Sequence, residues 1–272
     1  MSKRPIIHIG FPKTGTTYLQ EVFFNSIDDV YMLRGWKSIR DVLKCPKEKV
    51  LLISDESFSG DIYSKKWRES FDHNIDMISS QFNNPKIIVG FREQKSFLIS
   101  SYTQYLYEHG TKDFSEFYNE NNNGVIKHED LLYTQYLNKL NSKFEDVFVY
   151  NNDELKNRFE DFSTEFYKFA GILHISNLSI SNAPRNPGIK SVAQVEKLIK
   201  LNRINEKLEN IRFLPSLYSK VFKKFKLTPY HIALFRTSDS KKGKFELTDS
   251  LLHKMDEMYI EDWTNIVNEN SF

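Results

Sequence analysis

The chain has 272 residues, of which 40% are apolar and 27% are charged, so its composition is that of a globular protein. Its net charge of +2 is too small to indicate nucleic acid as the main partner. A single cysteine, Cys45, excludes an internal disulfide framework and favours a reducing compartment, so we expect a cytoplasmic protein.

Short apolar runs alternate with amphipathic helical patterns along the chain. The predicted strands are Ile6–Ile9, Val50–Ile53, Ile87–Phe91 and Val147–Tyr150. This alternation predicts a three-layer α/β fold, with a central, mainly parallel sheet flanked by helices and a site at the carboxyl ends of the strands. No apolar run approaches membrane-spanning length, and the first strand begins too early to leave room for a signal peptide.

The second half of the chain is predicted to be mostly helical. A helical stretch runs from Glu154 to Ile172 and closes on Gly171 as a C-cap. Residues from about Ser191 to Asn270 are predicted to form further helices. We therefore expect an α/β core over residues 1–190 and a helical extension over residues 191–272, packed as a single domain because no linker separates them.

A glycine loop follows the first strand and leads directly into a helix. A strand that turns on glycines into a helix makes an anion site, because the first helical N–H groups have no partner in the helix. Gly10 and Gly15 keep the spacing of a nucleotide-binding P-loop, and Thr17 holds its Ser/Thr position. The lysine, however, is Lys13, two residues before the second glycine, and Thr16 occupies its usual place. This lysine is therefore expected along the crest of the loop, beside a group at the 5′ end of a nucleotide.

A second motif follows the third predicted strand. Arg92 comes at the carboxyl end of that strand, and Ser100 follows eight residues later in a predicted helix. A guanidinium group forks onto a phosphate, and a hydroxyl can donate to a remaining oxygen. Taken alone, Arg92 would be an ordinary solvated residue at a strand end, and Ser100 would be a helix residue without a special role.

Together the two motifs resemble sulfotransferases that use 3′-phosphoadenosine 5′-phosphosulfate (PAPS). The loop is similar to the 5′-phosphosulfate loop of that family, and the Arg92/Ser100 pair is similar to the one that holds the 3′-phosphate. The resemblance covers about Ile6 to Ile175. It implies a P-loop-like fold, PAPS as co-substrate and no metal. The implied cofactor-binding residues of the loop are Pro12, Lys13, Thr14, Gly15, Thr16, Thr17 and Tyr18. We also expect contact from Arg185, the basic residue in the turn segment 181–188.

The general base is expected after the second predicted strand, where Asp55 and Glu56 come to the rim. Lys13 would stabilise the charge that develops on the leaving oxygen. Cytosolic small-molecule sulfotransferases carry a histidine in this region, whereas glycan sulfotransferases with an acidic base have a glutamate. The resemblance therefore implies Glu56 as base, with Asp55 as the alternative, and a carbohydrate or glycolipid hydroxyl as acceptor for a bacterial-type enzyme. The two acids could instead cap the next helix or pair with a loop lysine.

Two other classes of protein fit part of the pattern. Asp55 after an apolar strand could be a Walker B residue of a P-loop kinase that uses Mg²⁺ and ATP, but such a kinase would need its lysine after Gly15. A non-catalytic nucleotide-binding protein would keep the loop and have no need of Glu56. The basic cluster at residues 220–226 could contact an anionic glycan or a membrane surface peripherally, although a solvated helix face is the more ordinary explanation.

Overall fold

A five-stranded parallel sheet forms the centre of the protein. The computed structural model describes residues 3–35, 39–172, 191–209 and 247–272. Its strands are β1 (Ile6–Ile9), β2 (Val30–Arg34), β3 (Val50–Asp55), β4 (Lys86–Phe91) and β7 (Val147–Asn151), in the order β2-β3-β1-β4-β7. A small second sheet pairs β5 (Tyr118–Asn119) with β6 (Ile126–Lys127).

Helices cover both faces of the central sheet. The first, α1, begins as one turn at Thr16–Tyr18 and continues as a π-helix over Leu19–Phe23 and a 3-10 turn over Phe24–Ser26. The others are α2 (Ile39–Val42), α3 (Trp67–Gln81), α4 (Gln94–Tyr107), α5 (Phe114–Phe117), α6 (Tyr133–Lys143), α7 (Asn152–Asn157), α8 (Phe159–Ala170), α9 (Val192–Glu209) and α10 (Asp249–Asn268). Short 3-10 turns lie at Glu56–Ser59 and Glu129–Leu131. None of the described helices is long and apolar enough to cross a bilayer.

Successive side chains of β1 pack into two separate hydrophobic clusters, one on each face of the sheet. Ile7 and Ile9 pack in the cluster under α3, α4 and α6, whereas Ile6 packs in the cluster under α1 and α8. All three are fully buried. This is the two-residue period of a strand that is covered on both faces, and it explains why β1 is a continuous apolar run.

The four predicted strands are confirmed, most within one residue at each end. Strand β2 at the sheet edge was not predicted, although residues 30–33 form an apolar run. Such a short run does not by itself distinguish a strand from a segment of helix. The predicted helix over 154–172 begins two residues earlier, is interrupted at Arg158, and ends as expected on Gly171, whose φ of 72° is left-handed. The three-layer α/β fold is also confirmed.

The C-terminal helix α10 packs on the α/β core through a buried acid. The Asp262 carboxylate accepts hydrogen bonds from Gln94 Nε2 and from the backbone N–H groups of Tyr133 and Thr134, each at 2.9 Å. It therefore ties α10 to the starts of α4 and α6. The division of the chain at residue 190 stays a prediction, because that boundary lies outside the described residues.

The topology also fixes where a site can form. Because β1 lies between β3 and β4, the residues that follow these three parallel strands share one edge of the sheet. Those residues are Gly10, Glu56 and Arg92.

Candidate active site

The loop after β1 has the backbone geometry of an anion-binding nest. Lys13 and Gly15 both take left-handed φ values, of 65° and 90°, which turn successive N–H groups toward one side. Among the described residues, no hydrogen-bond acceptor meets the N–H groups of Lys13, Thr14 or Gly15. Helix α1 begins at once behind them, so its first N–H groups add to the same site. The loop can therefore surround an anion with backbone donors.

Two buried threonines hold this loop in shape. The Thr14 hydroxyl donates to the Phe11 carbonyl at 2.6 Å, and the Thr16 hydroxyl reaches the same carbonyl at 3.3 Å. Their side chains point inward, so only their backbone N–H groups can serve a ligand. Thr17 is exposed at the helix start. Tyr18 is half-buried, and its ring packs edge-on against Phe159, with ring centroids 5.5 Å apart.

A buried chain of polar side chains supports the loop from below. His8 Nδ1 lies 2.7 Å from Ser54 Oγ, and His8 Nε2 lies 3.2 Å from Tyr150 Oη. Tyr150 Oη lies 3.3 Å from Thr14 Oγ1, and Gln20 Nε2 donates to Ser54 Oγ at 2.9 Å. The Thr14 hydroxyl already donates to a carbonyl, so Tyr150 must donate to Thr14. All hydroxyl and ring protons of this chain are then used if His8 carries its proton on Nε2 and donates it to Tyr150, while Ser54 donates to Nδ1 of His8. Burial lowers the pKa of His8 to about 3, so the ring stays neutral.

Lys13 reaches across the cleft toward helix α4. Its Nζ donates to Gln104 Oε1, and Gln104 Nε2 in turn donates to Glu108. The pKa of Lys13 is lowered from its ordinary value, chiefly by burial and also by the neighbouring charge of Arg92. The nearby Glu56 and Glu108 carboxylates offset part of this effect. The ammonium group is therefore partly desolvated, which strengthens its action on any anion placed beside it.

Arg92 contains a donor that the described protein leaves unused. Its Nη1 lies 3.5 Å from the Lys13 carbonyl oxygen, so the side chain leans over the loop. Its Nε is buried and has no hydrogen-bond partner among the described residues. Burial lowers the pKa of Arg92, and Asp153 raises it. An unpaired buried donor on a charged group is costly, so this position fits an anion such as a phosphate.

Ser100 lies on the face of α4 that meets the loop. It is half-buried and comes one helical turn before Gln104, which contacts Lys13. No hydrogen bond joins Ser100 to Arg92 among the described residues. The two are therefore not joined directly by a hydrogen bond.

The two neighbouring acids have different surroundings. Asp55 caps the 3-10 turn that follows β3, since its Oδ1 accepts from the Ser57 N–H group at 2.8 Å. Glu56 faces the loop so closely that a Cβ atom on Gly10 would lie 3.0 Å from its Cγ. Glu56 is open to solvent on the cleft side, yet the surrounding protein still raises its pKa by desolvation, against the lowering effects of Lys13 and Arg34. Glu56 is therefore the acid available for chemistry.

A cleft of about 530 Å³ lies over the glycine loop and Glu56. Of the predicted site residues, it is lined by Pro12, Lys13, Gly15, Thr16, Thr17 and Glu56. Thr14, Tyr18, Asp55, Arg92 and Ser100 do not line it, and Arg185 lies outside the described residues. Other residues that line the cleft, among them Asp61, Tyr63 and Gln104, were not among the predicted site residues. Only Gln104 carried a signal, its one-turn spacing from Ser100. Within the described ranges, no three His, Cys, Asp or Glu side chains are grouped so that they could hold a metal ion.

Comparison with known proteins identifies the fold. No protein-family model and no curated protein matches the sequence. Among solved structures, a sulfotransferase from Alicyclobacillus acidocaldarius matches with a TM-score of 0.51 at 13% identity, over 68% of this chain and 88% of that chain. Mouse sulfotransferase SULT7A1 complexed with PAP gives a TM-score of 0.47 at 16% identity, over 96% of this chain and 84% of that chain, a likeness too weak to carry an argument. The first match confirms that the chain has the fold of a sulfotransferase.

Proposed function

We propose that the protein is a sulfotransferase that moves a sulfuryl group from PAPS to an acceptor hydroxyl. The observation that supports this most is the pairing of two anion sites at one edge of the sheet. One is the nest around Lys13 and Gly15, and the other is the buried, unpartnered Nε of Arg92. PAPS carries anionic groups at both its 5′ and its 3′ ends, so it matches two separate sites, whereas AMP would use only one.

The residues of the chain divide between the two ends of this co-substrate. The N–H groups from Lys13 to Tyr18 would hold the 5′-phosphosulfate, with Thr17 adding its exposed hydroxyl and Pro12 shaping the rim. Arg92 and Ser100 would hold the 3′-phosphate, where a forked guanidinium and a hydroxyl satisfy different oxygens. Arg185 belongs to the same proposal as a further cationic contact.

Two residues would act on the transfer itself. The acceptor oxygen attacks sulfur, a new O–S bond forms, and the bond from sulfur to the bridging oxygen of the phosphate breaks. Glu56 takes the acceptor proton, and its raised pKa makes it a stronger base than an ordinary surface carboxylate. Lys13 neutralises the charge that develops on the bridging oxygen. In this scheme Asp55 has a structural role as the cap of the 3-10 turn.

A carbohydrate or glycolipid hydroxyl is the proposed acceptor. Its support is the glutamate at the end of β3, together with a cleft lined mainly by polar side chains. A cytoplasmic location completes the proposal, supported by the single half-buried Cys45.

Transfer of label from radiolabelled PAPS to a panel of glycans and small alcohols, in EDTA, tests this function. We expect label in at least one acceptor with the native protein, and at most a trace with Lys13→Ala. A P-loop kinase would instead transfer phosphate from ATP in the presence of Mg²⁺. Phosphate transfer without any sulfuryl transfer would contradict the proposal.

A further inference from the structure

A second cavity adjoins the cleft on the side away from the glycine loop. It has a volume of about 380 Å³ and lies between the end of α4 and helix α9. Tyr63 lines both the cleft and this cavity, so it is a wall that the two share. The rings of Tyr63 and Tyr105, both half-buried, lie with centroids 5.8 Å apart. Such rings can pack against the apolar face of a sugar while their surroundings supply polar groups.

The side chains around this cavity are negative. Glu108 and Glu206 line it and are exposed, and Asp61 lines the adjoining cleft. No lysine or arginine is among the described residues that line the cavity. This contrasts with the other end of the cleft, where the Lys13 ammonium group lies.

The end of α4 adds to this negative character. Glu108 caps the helix, His109 takes a left-handed φ of 71°, and the Gly110 N–H group donates back to the Tyr105 carbonyl at 2.8 Å. The helix therefore stops at the cavity and presents the negative end of its dipole there.

Asn202 contributes an acceptor that the described protein leaves unused. It lines the cavity, is only 1% exposed, and donates its Nδ2 to the carbonyls of Leu106 and Gly110 at 2.8 and 2.7 Å. Its Oδ1 has no hydrogen-bond partner among the described residues. A buried acceptor without a donor is costly, so an N–H or O–H group of a ligand that reached this oxygen would gain a hydrogen bond.

We propose that this cavity binds the acceptor and that the acceptor is an amine-bearing sugar, not an acidic one. The inference rests on the proposed function and narrows its substrate class. An ammonium group is attracted by Glu108, Glu206 and the end of α4, whereas a uronate, phosphate or sulfate is repelled by the same groups. The protonated amine is not nucleophilic, so a neighbouring hydroxyl directed past Tyr63 toward Glu56 gives up its proton and forms the bond to sulfur. The product is an O-sulfated amino sugar.

Three trisaccharides of matched length test the charge preference: a glucosamine trimer, an N-acetylglucosamine trimer and a galacturonate trimer. With PAPS as donor, we expect the lowest KM for the glucosamine trimer, a higher KM for the acetylated one and no measurable transfer to the galacturonate trimer. Glu206→Lys, on the exposed side of α9, should raise the KM for the glucosamine trimer about fivefold with little change in kcat, from reversal of one surface charge. Glu160→Lys, the same charge change on the exposed side of α8, should change nothing.

Calorimetry without donor separates this inference from the proposed function. We expect the glucosamine trimer to bind the protein directly, more weakly in Glu206→Lys, and adenosine 3′,5′-bisphosphate to bind independently. Failure of the bisphosphate to bind would overturn the proposed function. The sugar titration would still show whether the cavity binds an amine-bearing sugar. The inference itself is overturned if none of the three sugars binds. It is also overturned if the galacturonate trimer binds or reacts as well as the glucosamine trimer, or if Glu206→Lys behaves like Glu160→Lys.

Discussion

Asp55 and Glu56 are adjacent in the chain, yet the structure gives them different surroundings. Asp55 accepts the Ser57 N–H group at the start of a 3-10 turn, and Glu56 faces the cleft beside Gly10 and Lys13. Removing one should therefore change stability, and removing the other should change catalysis. The matched variants are Asp55→Ala, which deletes the cap, and Glu56→Gln, which keeps the shape and deletes the base.

The two magnitudes follow from these contacts. Loss of a cap acceptor costs about 0.5–2 kcal/mol of unfolding free energy, and for a chain of this size each kcal/mol corresponds to about 2–4 °C in Tm. Asp55→Ala should thus lower Tm by a few degrees and leave kcat within about threefold of the native value. Loss of a general base costs about 10²–10⁴-fold in kcat. Glu56→Gln should show that loss with an unchanged or slightly raised Tm, because a desolvated carboxylate is replaced by a neutral amide.

Thermal unfolding and steady-state kinetics with one good acceptor measure both quantities on the same samples. Near-normal turnover in Glu56→Gln, with a large loss in Asp55→Asn, would transfer the base to Asp55. Full activity in both Asp55→Asn and Glu56→Gln would refute the acidic-base mechanism altogether.

Three further outcomes are expected. Lys13→Ala should lower kcat at least as much as Glu56→Gln and should weaken binding of adenosine 3′,5′-bisphosphate only moderately; a pure loss of binding with normal kcat would contradict the assigned role. The pH profile of kcat should be bell-shaped, since activity needs Glu56 deprotonated and Lys13 protonated. Because the pKa of Glu56 is raised and that of Lys13 is lowered, the acid limb should lie above the usual carboxyl pKa and the alkaline limb below the usual lysine pKa. Glu56→Gln should lose the acid limb. His8 is held neutral by burial, with a pKa of about 3 against about 6.5 when unfolded, so its contribution to stability is complete above about pH 6.5 and is lost as the pH falls. Urea unfolding should therefore show a loss of up to about 1.4 kcal/mol per pH unit in the native protein and a shallower loss in His8→Gln; equal slopes would contradict this account.

The parts of the fold that the sequence predicts well are those with one dominant local cause. β1 is a run of fully buried residues that leads into a loop with Gly15 at a left-handed φ, and the apolar run and the glycine both leave strong signals. The left-handed φ of Lys13 in the same loop has no marker in the sequence. Strand β2 was missed although residues 30–33 are apolar, because a run of four such residues fits a strand and a buried helix segment equally well. The π-helix over Leu19–Phe23 likewise depends on packing beneath the loop and has no marker in the residues.

The site residues that the sequence predicts are those whose positions depend on a single strand or loop. Lys13, Glu56 and Arg92 each follow a strand, so their meeting at one edge follows from a parallel sheet. The resemblance favoured Glu56 over Asp55 as the base, but the residues alone do not decide between them, because which of two adjacent acids caps a turn depends on the direction in which the strand leaves the sheet. Tyr63 and Asn202 come from segments about 140 residues apart, and only tertiary packing brings them to one cavity.

The central claim is that two anion sites of this fold hold the two ends of PAPS, and calorimetry in EDTA tests it most directly. Adenosine 3′,5′-bisphosphate should bind much more tightly than AMP, because only the bisphosphate carries the 3′-phosphate that the proposed function assigns to Arg92. Arg92→Ala should remove about 2–4 kcal/mol of binding free energy for the bisphosphate and leave AMP binding nearly unchanged. Equal affinity of the native protein for AMP and the bisphosphate, or an equal loss for both ligands in Arg92→Ala, would contradict the account.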